Sequence, residues 1–416
     1  MTTPKNKLFF LLIVCFNMIG LTSCKQEKKE DKKAEEIEVD VKNEETVIPD
    51  TLKWSERMAL TLMKAHPEAY QIDDKEEPKW DYVHGLVLTG FEKLYEKTGK
   101  EEYFEYIKGY ADTTIDSLGE IPSYKFENYN IDMINAGKIL FGLYHKTKDE
   151  KYLKAMQLLK KQLDEHPRTK SGGFWHKKIY PYQMWLDGLY MGAPFYTRYT
   201  TEFENGKDLS DVAKQFELIQ KYAKDEETGL LYHGWDESKE MDWANKETGT
   251  SPNFWSRSLG WYAMALVDVL DYFPKDHPKH KELVGYLNQL VEALSKYQHE
   301  SGLWYQVTDK GDKEGNYLEA SGTAMFAYAI AKGVNEGYLP EQYKEVATKA
   351  FDGLTRDLVK VSESGDVVIT QACAVAGLGG NPYRDGSYEY YINERKKDND
   401  PKATGPFILA ALELNK

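Results

Sequence analysis

Residues 171–176 read SGGFWH, and the pattern returns as TGLLYH at 228–233 and SGLWYQ at 301–306. Each copy has a small hydroxylic residue, a glycine, two largely apolar positions, an aromatic, and then His or Gln. Fainter copies, LGEIPS at 118–123 and SGDVVI at 364–369, extend the series. Gly119, Gly172, Gly229, Gly302 and Gly365 are separated by 53, 57, 73 and 63 residues. Recurrence of one turn at this interval marks a repeat architecture, and it precedes any assignment of individual elements.

Most of these turns follow an amphipathic stretch of period 3.6: EEYFEYIKGYADTTIDSL at 101–118, EKYLKAMQLLKKQL at 150–163 and HKELVGYLNQLVEALSKYQ at 280–298. Most are followed by a stretch that is apolar nearly all round: IDMINAGKILFGLYHKT at 131–147, YPYQMWLDGLYMGAPFYTRY at 180–199, FWSRSLGWYAMALVDVLDYF at 254–273 and YLEASGTAMFAYAIAKG at 317–333. A helix apolar on every side is buried on every side. Each unit therefore reads as an outer amphipathic helix, a Gly turn and an inner buried helix. Residues 54–416 hold about six such units, which predicts a mainly α fold, an (α/α)6 barrel or six-hairpin toroid. Side-by-side packing buries the faces that one unit cannot bury alone. An open helical solenoid and a pair of bundles are the alternatives, and no linker after residue 54 supports the pair. Short strands are allowed at the GLLYH-type turns.

The chain has 416 residues and is 41% hydrophobic, enough for one large core. Its start reads as an address: Lys5 and Lys7, the apolar run LFFLLIVCFNMIGL, then LTSC ending at Cys24. This has the form of a lipoprotein signal over 1–23, with Cys24 lipidated and a charged tether over 24–53. The expected location is the cell envelope, on the periplasmic face or the surface of the outer membrane. An ordinary cleaved signal is the alternative. With three cysteines in all, disulfides do not staple the fold. A net charge of −14 argues against nucleic acid or an anionic membrane surface as a generic partner, because the long-range field repels both. The 30 Tyr, 16 Phe and 9 Trp suit both a core and carbohydrate platforms.

If inner helices begin soon after each turn, residues near those starts converge on one mouth. They are Asp132, Asp187, Trp255, Arg257, Trp261, Glu319 and Ser321, with His176, Lys177 and His233 from the turns. Polar groups on apolar helices are costly to bury unless they are paired or face a cavity. Asp132 also reads as a helix-start carboxylate. Asp187 is expected within a helix running on from Pro181, where capping explains it poorly. Glu319 also reads as a partner of Arg257. The tryptophans also read as core. Two carboxylates on consecutive inner helices suit glycoside chemistry. No metal-binding pair or phosphate loop is present, and no cofactor is called for.

The stretches NYNIDMINAGK, GGFWHKKIYPYQMWLDGLYMGAPFYTRY, LLYHGWDES and SPNFWSRSLGWYAMALVDVL resemble glycoside hydrolase family 105, the unsaturated rhamnogalacturonyl hydrolases, over residues 54–416. The resemblance implies Asp187 as general acid and base with Asp132 beside it. It places His176, Lys177, His233, Trp255, Arg257 and Trp261 around a 4,5-unsaturated uronic acid left by a polysaccharide lyase. It implies hydration of the C4=C5 bond rather than direct displacement. One departure stands out: family members often carry ARGNGW where this chain has SRSLGW, which puts sugar contacts at Ser258 and Leu259 in doubt. Unsaturated glucuronyl hydrolases of family 88, an inverting glycosidase or epimerase, and a non-catalytic glycan-binding lipoprotein remain alternatives. Rhamnogalacturonan and ulvan both supply a uronyl-rhamnose substrate, and rim loops 236–253 and 305–318 carry no readable code for choosing between them.

Overall fold

In a computed structural model of the chain the described residues are 47–416; the expected signal and Cys24 lie outside them. Six outer helices carry the amphipathic pattern: α1 (Trp54–Ala65), α3 (Glu101–Thr114), α5 (Glu150–Glu165), α7 (Leu209–Ala223), α9 (His280–Lys296) and α11 (Tyr343–Gly353). The inner elements are α2 (Tyr82–Thr98), a 3-10 segment (Ile131–Lys138) running into α4 (Ile139–Thr147), α6 (Leu186–Phe203), α8 (Ser256–Leu270), α10 (Ala320–Asn335) and α13 (Pro401–Glu413). A short α12 (Tyr388–Asn393) lies before α13.

Helix α5 shows how an outer member forms. The Asp149 side chain accepts the Lys151 N–H at 3.0 Å and starts the helix. Tyr152, Ala155, Met156, Leu159 and Leu163 then make one buried stripe. In α8, by contrast, every residue is buried. Inner elements pack in sequence around a closed circuit, α2 on the 3-10 segment, then α6, α8, α10, α13 and back to α2. The (α/α)6 barrel is the observed fold.

All five turn glycines have positive φ, from 74° at Gly229 to 99° at Gly172. The first four turns each rest on the outer helix of the next unit. A Cβ on Gly302 would sit 2.1 Å from the Lys349 carbonyl oxygen of α11, so both backbone conformation and space demand glycine there. The last turn, at Gly365, rests on Ile48, whose N–H donates to the Ser364 carbonyl at 2.9 Å. Ile48 is buried. Packing on the barrel therefore begins ahead of the expected start at residue 54, and residues 47–53 belong to the fold rather than to a tether.

Two inner stretches depart from the expected continuous helices. Ile131–Lys138 is 3-10, entered through Asn130, whose side chain accepts the Asp132 N–H. Residues 180–199 do not form one helix either: Tyr182 has φ 61°, and Gln183–Trp185 form strand β1, paired antiparallel with β2 (Gly234–Asp236). Helix α6 starts only at Leu186, which puts Asp187 in its first turn. A continuous apolar run does not by itself separate a buried strand from a buried helix. Three further two-stranded pairings are β3 (Trp304–Tyr305) with β4 (Leu318–Glu319), β5 (Val359–Val361) with β6 (Val367–Ile369), and β7 (Ala372–Cys373) with β8 (Lys396–Lys397).

Candidate active site

One backbone hydrogen bond recurs around the mouth. Ile131, Leu186, Ser256 and Ala320, each the first residue of an inner element, donate their N–H groups to the carbonyls of His176, His233, Gln306 and Gln371. A helix start has spare N–H groups, and here the following unit satisfies one of them. In these four elements the bond sets a common register, which puts the second residue of each at an equivalent place; the second residues of the other two are taken with them by position. Those second residues are Val83, Asp132, Asp187, Arg257, Ser321 and Lys402. Four of them, Asp132, Asp187, Arg257 and Lys402, line a cleft of about 600 Å³ together with Tyr82, His176, Lys177, Trp185, Met191, Trp255, Trp261, Val375, Ala376 and Arg384.

The same register brings a histidine to each acid. His176 Nε2 is 3.3 Å from Asp132 Oδ1, and Lys177 Nζ is 2.6 Å from Asp132 Oδ2. Burial pushes the Asp132 carboxyl up, but Lys177 and His176 outweigh it and hold it below the ordinary carboxylate range. Burial pushes His176 down to about 4, against the pull of Asp132, so its ring is neutral at neutral pH. Lys177, half-buried, is raised by Asp132 against the cost of its partial burial. This half of the site is an ion pair with a neutral imidazole stacked on Trp185 at 4.3 Å.

Asp187 is placed differently. His233 Nε2 lies 3.2 Å from its Oδ2, near enough for an ion pair but too bent for a hydrogen bond, and among the described residues both atoms are otherwise unpartnered. Asp187 faces the cleft, whereas His233 is fully buried behind it rather than at the cleft wall. His233, expected around the sugar, thus lies next to the acid, with β2 beginning at the following residue.

Arg257 is 1% exposed and held on several sides. Its Nε donates to Ser321 Oγ at 2.7 Å, a terminal nitrogen donates to the Cys373 carbonyl, and Glu319 Oε1 lies 3.7 Å away. Glu319 in turn accepts from Ser321 Oγ, Gly322 N–H and Cys373 N–H, so it caps α10 and orients the arginine from outside the cleft. Burial pushes the Cys373 thiol up to about 11 and keeps it neutral. Trp255 donates Nε1–H to Gln306 Oε1 at 3.0 Å, and Trp261 stacks on Tyr190 at 4.9 Å. Ser258 and Leu259, where the family pattern departs, are wholly buried; the Ser258 hydroxyl donates to the Trp255 carbonyl. That substitution falls in the packing behind the site.

Sequence reasoning missed Tyr82, Trp185, Arg384 and Lys402. Lys402 follows from the register, as the second residue of the sixth inner helix. Arg384, which donates to the Gly379 carbonyl and to Tyr180 Oη, comes from a connection between β7 and α12 that has no counterpart in the repeat. That connection, with Val375 and Ala376, forms the cleft edge in place of the rim loops 236–253 and 305–318. Among the described residues no cluster of three or more His, Cys, Asp or Glu is placed to hold a metal ion.

The model for Glycosyl Hydrolase Family 88 matches residues 54–416. The chain belongs to glycosyl hydrolase family 88. Within this family 88 likeness, a solved glycoside hydrolase from family 105 of C. acetobutylicum ATCC 824 is 47% identical, with TM-score 0.84, covering 88% of this chain and 99% of that one. The expected family 105 resemblance holds, and this family 88 chain is a glycosidase. The unsaturated rhamnogalacturonyl hydrolase YesR of Bacillus subtilis (strain 168) is 28% identical over 317 residues, 74% of this chain and 84% of that protein. An unsaturated 3S-rhamnoglycuronyl hydrolase of Alteromonas sp. (strain LOR) is 27% identical over 231 residues, 55% of this chain and 50% of that protein.

Proposed function

We propose that this glycosidase removes the 4,5-unsaturated uronic acid from the non-reducing end of lyase-generated oligosaccharides. Uronyl-rhamnose substrates from rhamnogalacturonan are the leading class, in keeping with the names of its relatives. The observation that carries the chemistry is the inequality of two equivalently placed carboxylates. Asp132 is neutralised by Lys177 at 2.6 Å, while among the described residues neither oxygen of Asp187 accepts a hydrogen bond.

An acid held ionised by a lysine is a poor proton donor, so the donor is Asp187. In the proposed reaction Asp187 protonates C4 of the vinyl ether, and positive charge develops at C5 and the ring oxygen. The Asp187 carboxylate then takes a proton from a water as its oxygen bonds to C5. The resulting hemiketal opens to a C5 ketone, and the hemiacetal left at C1 expels the next sugar. Arg257 and Lys402, with Arg384 at the edge, supply cations for the substrate carboxylate, a planar anion that guanidinium matches well. Trp255 and Trp261 offer faces for sugar rings.

Asp187→Asn is expected to abolish the loss of ultraviolet absorbance of the unsaturated uronide while leaving the thermal transition in place. Near-normal turnover by that variant would overturn the assignment. Digests of rhamnogalacturonan and ulvan by their lyases, offered in parallel, distinguish the polymers. We further propose that Cys24 is lipidated and holds the enzyme at the cell envelope; the apolar run ending in LTSC supports this.

A further inference from the structure

Behind Asp187 lies a group that the proposed reaction does not use. Tyr391, on α12, is fully buried, and its Oη lies 2.7 Å from Nδ1 of His233, whose Nε2 meets Asp187 Oδ2 at 3.2 Å. Three side chains thus stand in line from the barrel wall to the cleft. The outer one is fixed in place. The Tyr391 ring stacks on Trp255 at 5.8 Å, and its carbonyl accepts from Gln306 Nε2 at 3.1 Å. Gln306 is the same residue that accepts from Trp255 Nε1.

The hydrogen-bond inventory decides how protons are arranged along this line. Among the described residues Tyr391 Oη has one partner, His233 Nδ1. Were His233 protonated on Nδ1, the ring would donate to Oη, and the phenolic hydrogen would be buried without an acceptor. Nε2 would then turn its lone pair on a carboxylate oxygen. In the other tautomer the phenol donates to Nδ1, and the lone-pair repulsion gives way to attraction, with Nε2–H facing Asp187 Oδ2 across a contact still too bent for a hydrogen bond. The hydroxyl keeps its hydrogen, since burial, and then the neighbouring Tyr390 and Asp187, raise its pKa well above the ordinary phenol value. Tautomer choice in histidine is commonly set by the partner of the second nitrogen.

We propose that Tyr391 is a positioning residue: by donating to His233 Nδ1 it holds the imidazole as its Nε2–H tautomer, which pins Asp187 Oδ2 and leaves Oδ1 to exchange the proton with substrate. This rests on the reading of Asp187 as the acid. It assigns a purpose to the bent 3.2 Å contact, which straightens into a hydrogen bond when substrate settles the carboxylate; such contacts commonly tighten in the Michaelis complex. It also explains why His233 sits behind the acid rather than beside the sugar.

The test is Tyr391→Phe, which removes the donor and keeps the ring. A positioned acid contributes about 10²–10⁴ in rate, so losing its orientation is expected to lower kcat about tenfold or more, with KM changed less than about twofold. His233→Gln supplies an amide N–H toward Asp187 that has no tautomer to choose. In that background Tyr391→Phe is expected to add less than about twofold, since its effect runs through the histidine. The ¹⁵N spectrum of histidine-labelled wild-type protein should show His233 protonated on Nε2, a readout that needs no variant to fold. Wild-type kcat in Tyr391→Phe, full additivity with His233→Gln, or a His233 protonated on Nδ1 would each overturn the proposal. Wild-type protein that turns over no unsaturated uronide would instead sink the assigned activity, and the spectrum would still report the tautomer.

Discussion

Lys177→Met isolates what separates the two acids. In the folded chain Asp132 is buried, with its side chain 10% exposed, and Lys177 is 24% exposed. Deleting one partner of a fully buried pair costs about 3–5 kcal/mol, and an exposed pair is worth about 0–1 kcal/mol. With the lysine one-quarter exposed and His176 still beside the acid, a cost of about 2 kcal/mol is expected. At about 2.1 cal/mol/K of unfolding entropy per residue, the described region lowers its Tm by roughly 2–3 °C for that loss. The pH dependence carries the stronger test. In wild type the Asp132 carboxyl lies below its ordinary value, so its contribution is present above the unfolded value near about 3.9 and is lost as pH falls through the folded one. Without Lys177, burial dominates, the folded carboxyl titrates higher, and the variant binds a proton that wild type does not. The Tm gap between the two proteins is therefore largest near pH 8 and narrows toward pH 5. Scanning calorimetry at both pH values measures it, alongside initial rates followed by double-bond absorbance. An equal gap at both pH values would refute the electrostatic account of Asp132.

Three further outcomes follow from other parts of the molecule. Gly302→Ala places a Cβ at φ +96° and 2.1 Å from the Lys349 carbonyl; a loss of about 3 kcal/mol or more in denaturant midpoint analysis is expected, with kcat of the folded fraction unchanged. Ile48→Asp removes a buried side chain at the Ser364 turn and should cost about 2–3 kcal/mol in the same measurement, again sparing kcat. Cys24→Ser should move the enzyme from the membrane to the soluble fraction on cell fractionation.

The repeat was legible because its turns need glycine at positive φ, a requirement written directly into the sequence at Gly119, Gly172, Gly229, Gly302 and Gly365. The first of the six units shows no such turn in its sequence because the connection between α1 and α2 uses Asp73 and Asp74, at φ 67° and 57°, in place of glycine; aspartate tolerates that region better than most residues. The candidate acids were legible because charge on an all-round apolar helix demands a reason. Where α6 begins was not legible: QMWL is apolar enough for either a strand or a helix, and only its pairing with Gly234–Asp236 decides. Tyr391 and Arg384 lie in the connection from β7 to α13, where the spacing of the repeat is broken, so no register led to them. Lys402 was within reach of the register once the sixth inner helix was counted.

The seating of Gly365 on Ile48 makes the barrel a hoop with a clasp. An open array of hairpins would end in two exposed faces, whereas here the final turn and residues 47–53 fasten the first unit to the last. That fastening, at Ser364 and Gly365, sits at the outer end of the last hairpin, apart from the inner circuit that carries Asp132 and Asp187.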